Sequence, residues 1–261
     1  MIDIHTHILP GVDDGAKTID QSLFMVKQGE KAGIKTICAT PHILQQVTPQ
    51  LEEKIHRSFD LLKTKIAESG GKVEIVLGSE IYVREDMDTL KRFDFFTLNN
   101  TGRYLLMELP WGQLPPHVDR IVFELQLEGQ IPIIAHPERC IIAKRQLVNV
   151  EDLVQKGALM QINAGSLLGF FGRKIKSITG ELLRRNLVHF IASDAHDHLF
   201  RSIEILPQAF IRASKIIGEK KAKELVVSNP RQVIQGEKLT SLMMPLSFEN
   251  ERKESRNSLN L

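Results

Sequence analysis

Two imidazoles two residues apart, His5 and His7, stand in the opening run 2–7 (Ile-Asp-Ile-His-Thr-His). Alternate side chains of a strand project from one face, so this pair can grip a single ion. The β-branched Ile2 and Ile4 beside them suit a buried strand. An H-x-H pair also arises by chance on surfaces, and what gives this one weight is the recurrence of the design. Apolar runs of strand length at 35–40, 73–78, 104–107, 131–135 and 188–193 lead into His42, Glu80, Glu108, His136, and Asp194 with His196. Only the run 158–162 ends without an evident ligand, in Asn163. Imidazoles and carboxylates with no thiolate among them suit manganese, iron or zinc and disfavour a cysteine-rich structural zinc site. Clustered divalent ions can lower the pKa of a bridging water toward neutrality and clamp phosphoryl oxygens during an in-line displacement.

The elements that must position these residues follow from periodicity. Between the apolar runs lie segments with helical spacing, at 19–32, 51–67, 117–127, 147–155 and 175–185. Strands alternating with helices imply parallel pairing through crossovers, hence an α/β fold. Seven strands in one continuous chain predict a barrel with one strand fewer than the eight-stranded form. In such barrels the active site gathers at the C-terminal strand ends, where every candidate ligand sits.

Composition sets the outer limits. At 261 residues, 42% of them apolar, the chain has core enough for one barrel domain. The net charge of +2 comes without a basic stripe, which argues against a nucleic-acid partner. No stretch approaches the ~20 apolar residues of a membrane span. The N-terminus runs directly into the first strand, so no signal peptide is expected. Two cysteines, Cys38 and Cys140, fit reduced thiols in a cytoplasmic protein. The polar end of the chain lacks a periodic face, so the domain is expected over 1–245 with a disordered tail over 246–261.

The motifs His5-x-His7, Asp13-Asp14-Gly15, Thr40-Pro41-His42, Gly78-Ser79-Glu80, Ala135-His136-Pro137-Glu138-Arg139 and Ser193-Asp194-Ala195-His196 fall in order along residues 1 to 240. Together they resemble the PHP (polymerase and histidinol phosphatase) domain, and more closely the bacterial capsule and exopolysaccharide tyrosine phosphatases of the CpsB/YwqE type. The resemblance implies a distorted (β/α)7 TIM-like barrel holding three divalent metals, manganese foremost, with iron or zinc compatible. Carried over residue by residue, it places His5, His7, Glu80 and Asp194 on the first metal. Glu80 bridges to a second with Glu108 and His136, and Asp14, His42 and His196 hold the third. Arg139 and Arg201 match the family's phosphate-contacting arginines, and a guanidinium fork fits a phosphate dianion bidentately.

The resulting expectation is hydrolysis of phosphotyrosine in proteins by metal-activated hydroxide, with arginines and metals stabilising the transition-state charge. The implied partner is a bacterial tyrosine autokinase of polysaccharide synthesis. A small-molecule phosphomonoesterase such as histidinol phosphatase, and a non-catalytic metal-binding regulator of the kinase, are the competing readings. A cysteine phosphatase loop is rejected, because Cys140 has only four residues before Arg145 and lacks a glycine-rich anion cradle. Composition alone leaves Asp13 level with Asp14, whereas the family pattern selects Asp14. Glu138 is expected to orient Arg139, and Trp111 to line the mouth or pack at the rim. His56, His117 and His189 read as surface or structural residues, and His198 as a loop residue.

Overall fold

The protein is described by a computed structural model over residues 1–84, 86–111, 115, 117–140 and 147–239. The expected tail, the domain boundary at 245 and Arg145 lie outside the described residues. Short β-branched and apolar runs form β1 (Ile2–Thr6), β2 (Thr36–Ala39), β3 (His42–Ile43), β4 (Glu74–Leu77), β5 (Glu80–Tyr82), β6 (Tyr104–Glu108), β7 (Ile131–Ala135), β8 (Leu159–Asn163) and β9 (Phe190–Ala192). All of their pairings are parallel. Amphipathic segments form α1 (Ile19–Lys31), α2 (Pro49–Glu68), α3 (Val118–Leu127), α4 (Pro137–Cys140), α5 (Leu147–Gln155), α6 (Ala164–Leu168) and α7 (Gly172–Arg184). Then come α8 (Leu206–Ile217), α9 (Glu219–Lys223) and α10 (Asn229–Ile234), which lie beyond the helices expected from periodicity. Thr18 and Thr48 start α1 and α2 by accepting from the backbone N–H groups of Gln21 and Leu51, and Pro49 occupies the first turn of α2.

The sequence predicts seven unbroken strands, and the structure breaks two of them. The ladders form one sheet in the order β1-β2-β4 and another in the order β3-β5-β6-β7-β8-β9. The first break falls at Thr40-Pro41, where Pro41 has no N–H to extend the ladder. The second falls at Gly78-Ser79. A side chain at Gly78 would stand 2.7 Å from Leu98 Cδ2 and 3.2 Å from Cys38 Sγ, so only glycine fits the bend. Bonds from Thr40 N to Thr6 O (2.8 Å), Gly78 N to Ala39 O (2.9 Å) and Glu80 N to Pro41 O (3.1 Å) carry the strands across both breaks. Taking β2–β3 and β4–β5 as one stave each restores the seven of a distorted (β/α)7 barrel. The barrel is closed between its first and last strands by the Thr6–Ala195 bridge, with His7 N donating to Ala195 O at 2.8 Å.

Apolar side chains separate into an outer core between strands and helices and an inner one within the barrel. Alternation sorts them: Leu105, Met107, Ile134, Met160 and Ile162 face the helices, while Tyr104, Leu106, Ile133, Leu159 and Phe190 face inward. Val233, Ile234 and Leu239 join the inner group from the C-terminal segment. Polar bonds pin that segment across the barrel floor, from Tyr104 Oη to Glu237 O (2.7 Å), Arg103 to Gly236 O (2.8 Å) and Asn99 to Ile234 O (2.9 Å). Among the described residues no helix is long and apolar enough to cross a membrane.

Candidate metal centre

Followed upward, the inner faces of β6, β8 and β9 change from apolar to polar. After Tyr104 and Leu106 comes Glu108, after Leu159 come Gln161 and Asn163, and after Phe190 and Ala192 comes Asp194. β7 ends in His136. Both His136 (φ 33°) and Asp194 (φ 53°) hold left-handed backbone conformations, a strain characteristic of functional positions. At β1 the register against β2 shifts between Asp3 and Thr6. The structure brings His5 and His7 together, with their Nε2 atoms 3.2 Å apart.

All nine expected ligands converge on the rim. His5, His7 and Glu80 form one group, His42, Glu80 and Glu108 a second, and His7, Asp14, His42 and His196 a third, with the candidate ligand atoms of each within 4.8 Å of one another. Asp194 Oδ1 joins the first group, 3.4 Å from His5 Nε2 and 3.5 Å from His7 Nε2. His136 Nε2 stands 2.9 Å from Glu80 Oε1 and 3.8 Å from Glu108 Oε1. His42 serves two neighbourhoods, with Nδ1 2.9 Å from Glu80 Oε2 and Nε2 3.5 Å from Asp14 Oδ1. Glu80 Oε2, His42 Nδ1 and His196 Nε2 are buried and close to ionisable neighbours, yet none of these approaches has hydrogen-bond geometry, an arrangement that a cation would satisfy.

Asp13 and Asp14 part company in the structure. Asp13 Oδ2 takes His7 Nδ1 at 2.7 Å and the His42 backbone N–H at 3.0 Å, while Oδ1 accepts from Gly15 N at 2.9 Å. It orients the rim from behind, whereas the exposed Asp14 faces His42 and His196. Gly15 permits this loop, because a Cβ there would fall 2.0 Å from His7 O.

The fields in this cluster oppose burial. Burial pulls the His5 and His7 imidazoles down, but Glu80 and Asp194, joined at His7 by Asp13, hold both above their ordinary value. Glu80 and Asp194, which burial would push up, are held well below the carboxylate range by the imidazoles and, at Asp194, by Arg201. Glu108 is raised, first by burial and then by the charge of Glu80. His196 falls to about 2 through burial and the neighbouring His7.

Both arginines reach the rim and bond Asp194 Oδ2, Arg139 at 3.1 Å and Arg201 at 2.5 Å. The Arg139 guanidinium also lies 4.0 Å from the Trp111 ring centre and 5.4 Å from that of Phe171. Trp111, His42, Glu108, His136, Arg139 and Arg201 line a cleft of about 840 Å³ above the ligands. Glu138 departs from expectation. Its buried carboxylate accepts from Asn163 N at 2.9 Å, and among the described residues it forms no ion pair with Arg139.

The remaining histidines are structural or peripheral. His189 Nδ1 accepts from Met160 N, His56 pairs with Asp94, and His198 meets Phe24 edge-on. Both cysteines are buried, which pushes the Cys140 thiol up to about 12 and Cys38 higher still, so neither is a nucleophile. The sequence reading missed Gln161 altogether and left Asn163 without a role. Their shared inward register with Leu159 was the available signal.

A family model described as capsular polysaccharide synthesis, CpsB/CapC, matches residues 1–235. The tyrosine-protein phosphatase YwqE of Bacillus subtilis (strain 168) is 39% identical over 199 residues, 76% of this chain and 78% of its own. The tyrosine-protein phosphatase CpsB of Streptococcus pneumoniae is 34% identical over 240 residues, covering 90% of this chain and 98% of its own. Among solved structures, one from the crystal structures of YwqE from Bacillus subtilis and CpsB from Streptococcus pneumoniae, described as unique metal-dependent tyrosine phosphatases, superposes with a TM-score of 0.85. That match is 33% identical and covers 94% of this chain and 99% of the other.

Proposed function

The chain belongs to the CpsB/CapC family of capsular polysaccharide synthesis, and from that premise we propose that it is a metal-dependent protein-tyrosine phosphatase. The observation that carries the metal reading is the meeting of His5 and His7. Each ring's Nδ1 faces an oxygen at 2.7 Å, Gln161 Oε1 for His5 and Asp13 Oδ2 for His7. With each ring neutral and its proton on Nδ1, two Nε2 lone pairs confront each other across 3.2 Å, which a shared cation resolves. The donor set of imidazoles and carboxylates fits divalent manganese, iron or zinc. His5, His7, Glu80 and Asp194 would hold one ion, Glu80, Glu108 and His136 a second, and Asp14, His42 and His196 a third. When bound, the ions would supply an activated water and positive charge against the phosphoryl oxygens.

The residues around them do the rest. Arg139 and Arg201 present guanidinium forks to the cleft and would grip the outer phosphate oxygens, neutralising charge as the ester bond breaks. Trp111 holds Arg139 from one side and offers the substrate's phenyl ring an exposed aromatic wall. A phenolate is a fair leaving group, so the reaction leans little on a dedicated acid. The substrate we infer is a phosphotyrosine-bearing protein of the polysaccharide pathway, a bacterial tyrosine autokinase, met in the cytoplasm.

The test is hydrolysis of a phosphotyrosine peptide by chelator-stripped protein before and after manganese is added, with histidinol phosphate and a phosphoserine peptide beside it. Manganese-dependent turnover favouring phosphotyrosine is expected. Turnover of histidinol phosphate alone would move the enzyme to small-molecule substrates, and no turnover with metal bound would leave a regulator.

A further inference from the structure

Gln161 and Asn163 carry no charge and no ligand chemistry that the centre uses, yet both are fully buried at its floor. We propose that they are positioning residues, a directional chain of amides that fixes which nitrogen of His5 faces the metal centre. The proposal rests on the metal reading above.

The direction of the chain is set at its carboxylate end. Asp194 Oδ2 can only accept, and three donors converge on it: Arg139, Arg201 and, at 2.6 Å, the Asn163 side-chain amide. Asn163 must therefore turn its NH2 toward Asp194, which leaves its Oδ1 to accept from Gln161 Nε2 at 2.9 Å. Gln161 has then spent an N–H and presents Oε1 to His5 Nδ1 at 2.7 Å. An oxygen there requires the imidazole proton on Nδ1. In the neutral ring that metal ligation requires, Nε2 is thus left as a lone pair aimed at the centre, 3.1 Å from Glu80 Oε2 and 3.4 Å from Asp194 Oδ1. The chain ends where it began, because the carboxylate that orients Asn163 also faces His5 through its other oxygen. The backbone bond from Asn163 N to Glu138 Oε1 holds the β8 terminus in place.

Amides suit this task better than acids. A carboxylate at 161 would accept equally well from His5, but it could not donate to Asn163. It would also add negative charge beside Glu80, Glu108 and Asp194. His7 is oriented by a different device, the Asp13 carboxylate. The two facing histidines are therefore set by partners of opposite charge character, one neutral and one anionic.

Zinc-loaded protein labelled with 15N at histidine reports the tautomers directly. We expect a slowly exchanging proton on Nδ1 of His5, assigned by its loss in His5→Gln. His189 is an internal contrast, since its Nδ1 accepts from Met160 N and its proton must sit on Nε2. In parallel, Co2+ titration followed by absorbance should show Gln161→Leu binding about 10- to 100-fold more weakly. Gln161→Glu, which still accepts from Nδ1, should restore most of that loss. A proton on Nε2 of His5 in the wild type would overturn the proposal whether or not the variants fold. So would equal behaviour of the two Gln161 variants, or wild-type affinity in Gln161→Leu. Wild-type protein that takes up neither Zn2+ nor Co2+ would overturn the metal reading itself.

Discussion

The two ends of the barrel interior are built on the same strands and the same pleat, yet they do opposite things. On β6, Tyr104 and Leu106 pack into an apolar floor, and the next inward residue is Glu108. On β9, Phe190 and Ala192 precede Asp194 in the same way. At the floor Tyr104, Arg103 and Asn99 all bond the C-terminal segment beneath it. The rim keeps buried atoms of Glu80, His42 and His196 outside any hydrogen bond. One interior thus stores stability at one level and unmet coordination at the other, and two residues along a strand are enough to pass between them.

The largest break in this contrast should come from Glu80→Ala. Glu80 faces His5, His7, His42 and His136, so its loss is expected to take manganese-dependent phosphotyrosine turnover to background. Metal analysis should show the bound ions depleted, and retained turnover would remove Glu80 from the centre. Next comes Arg139→Lys. A single ammonium cannot reproduce the fork or its stacking on Trp111, so kcat should fall about 10²- to 10³-fold with metal content unchanged. Metal loss in step with activity would instead make Arg139 a support for the ligands.

At the floor, Leu106→Ala opens a cavity and should cost about 2–5 kcal/mol, read by denaturant unfolding. Turnover per folded molecule should hold, and a matching loss of kcat would erase the division between floor and rim. The smallest effect should be a slope in pH. Burial lowers His189 to about 4 from its unfolded 6.5, so the unfolded chain takes up the proton first. Its stabilising contribution is complete above pH 6.5 and is lost as pH falls toward 4, on the order of 3 kcal/mol in all. Melting of chelated protein between pH 7 and 4 measures it, and His189→Asn should flatten the dependence on that interval.

The legibility of the site followed the same division. The gathering of His5, His42, Glu80, Glu108, His136 and Asp194 at one rim could be read because imidazoles and carboxylates at strand ends carry their chemistry in residue type. The breaks at Pro41 and Gly78 could not be placed, since a bend depends on what lies against it, here Leu98 and Cys38. Gln161 and Asn163 were silent for a related reason: a neutral amide acquires direction only from its neighbours. Asp13 and Asp14, equal as residues, were separated by a 2.7 Å bond to His7 that no spacing encodes. Glu138 misled because adjacency to Arg139 in sequence says little about where a buried carboxylate turns. The helices of 206–234 lie outside the periodic segments, although Val233 and Ile234 of α10 reach the inner core.

The seam between Thr6 and Ala195 has a consequence for the order of events during synthesis. β1 leaves the ribosome ahead of the other barrel strands, yet its closing neighbour emerges only after the rest of the barrel has been translated. Until then β1 has a bare edge, and His5 and His7 lack Asp194. Such remote pairing slows assembly, since the intervening chain must be gathered before the contact is rewarded. A nascent chain halted before residue 194 would therefore lack Asp194 and His196 and keep an open flank, so the complete set of candidate ligands meets only after the last barrel strand has emerged.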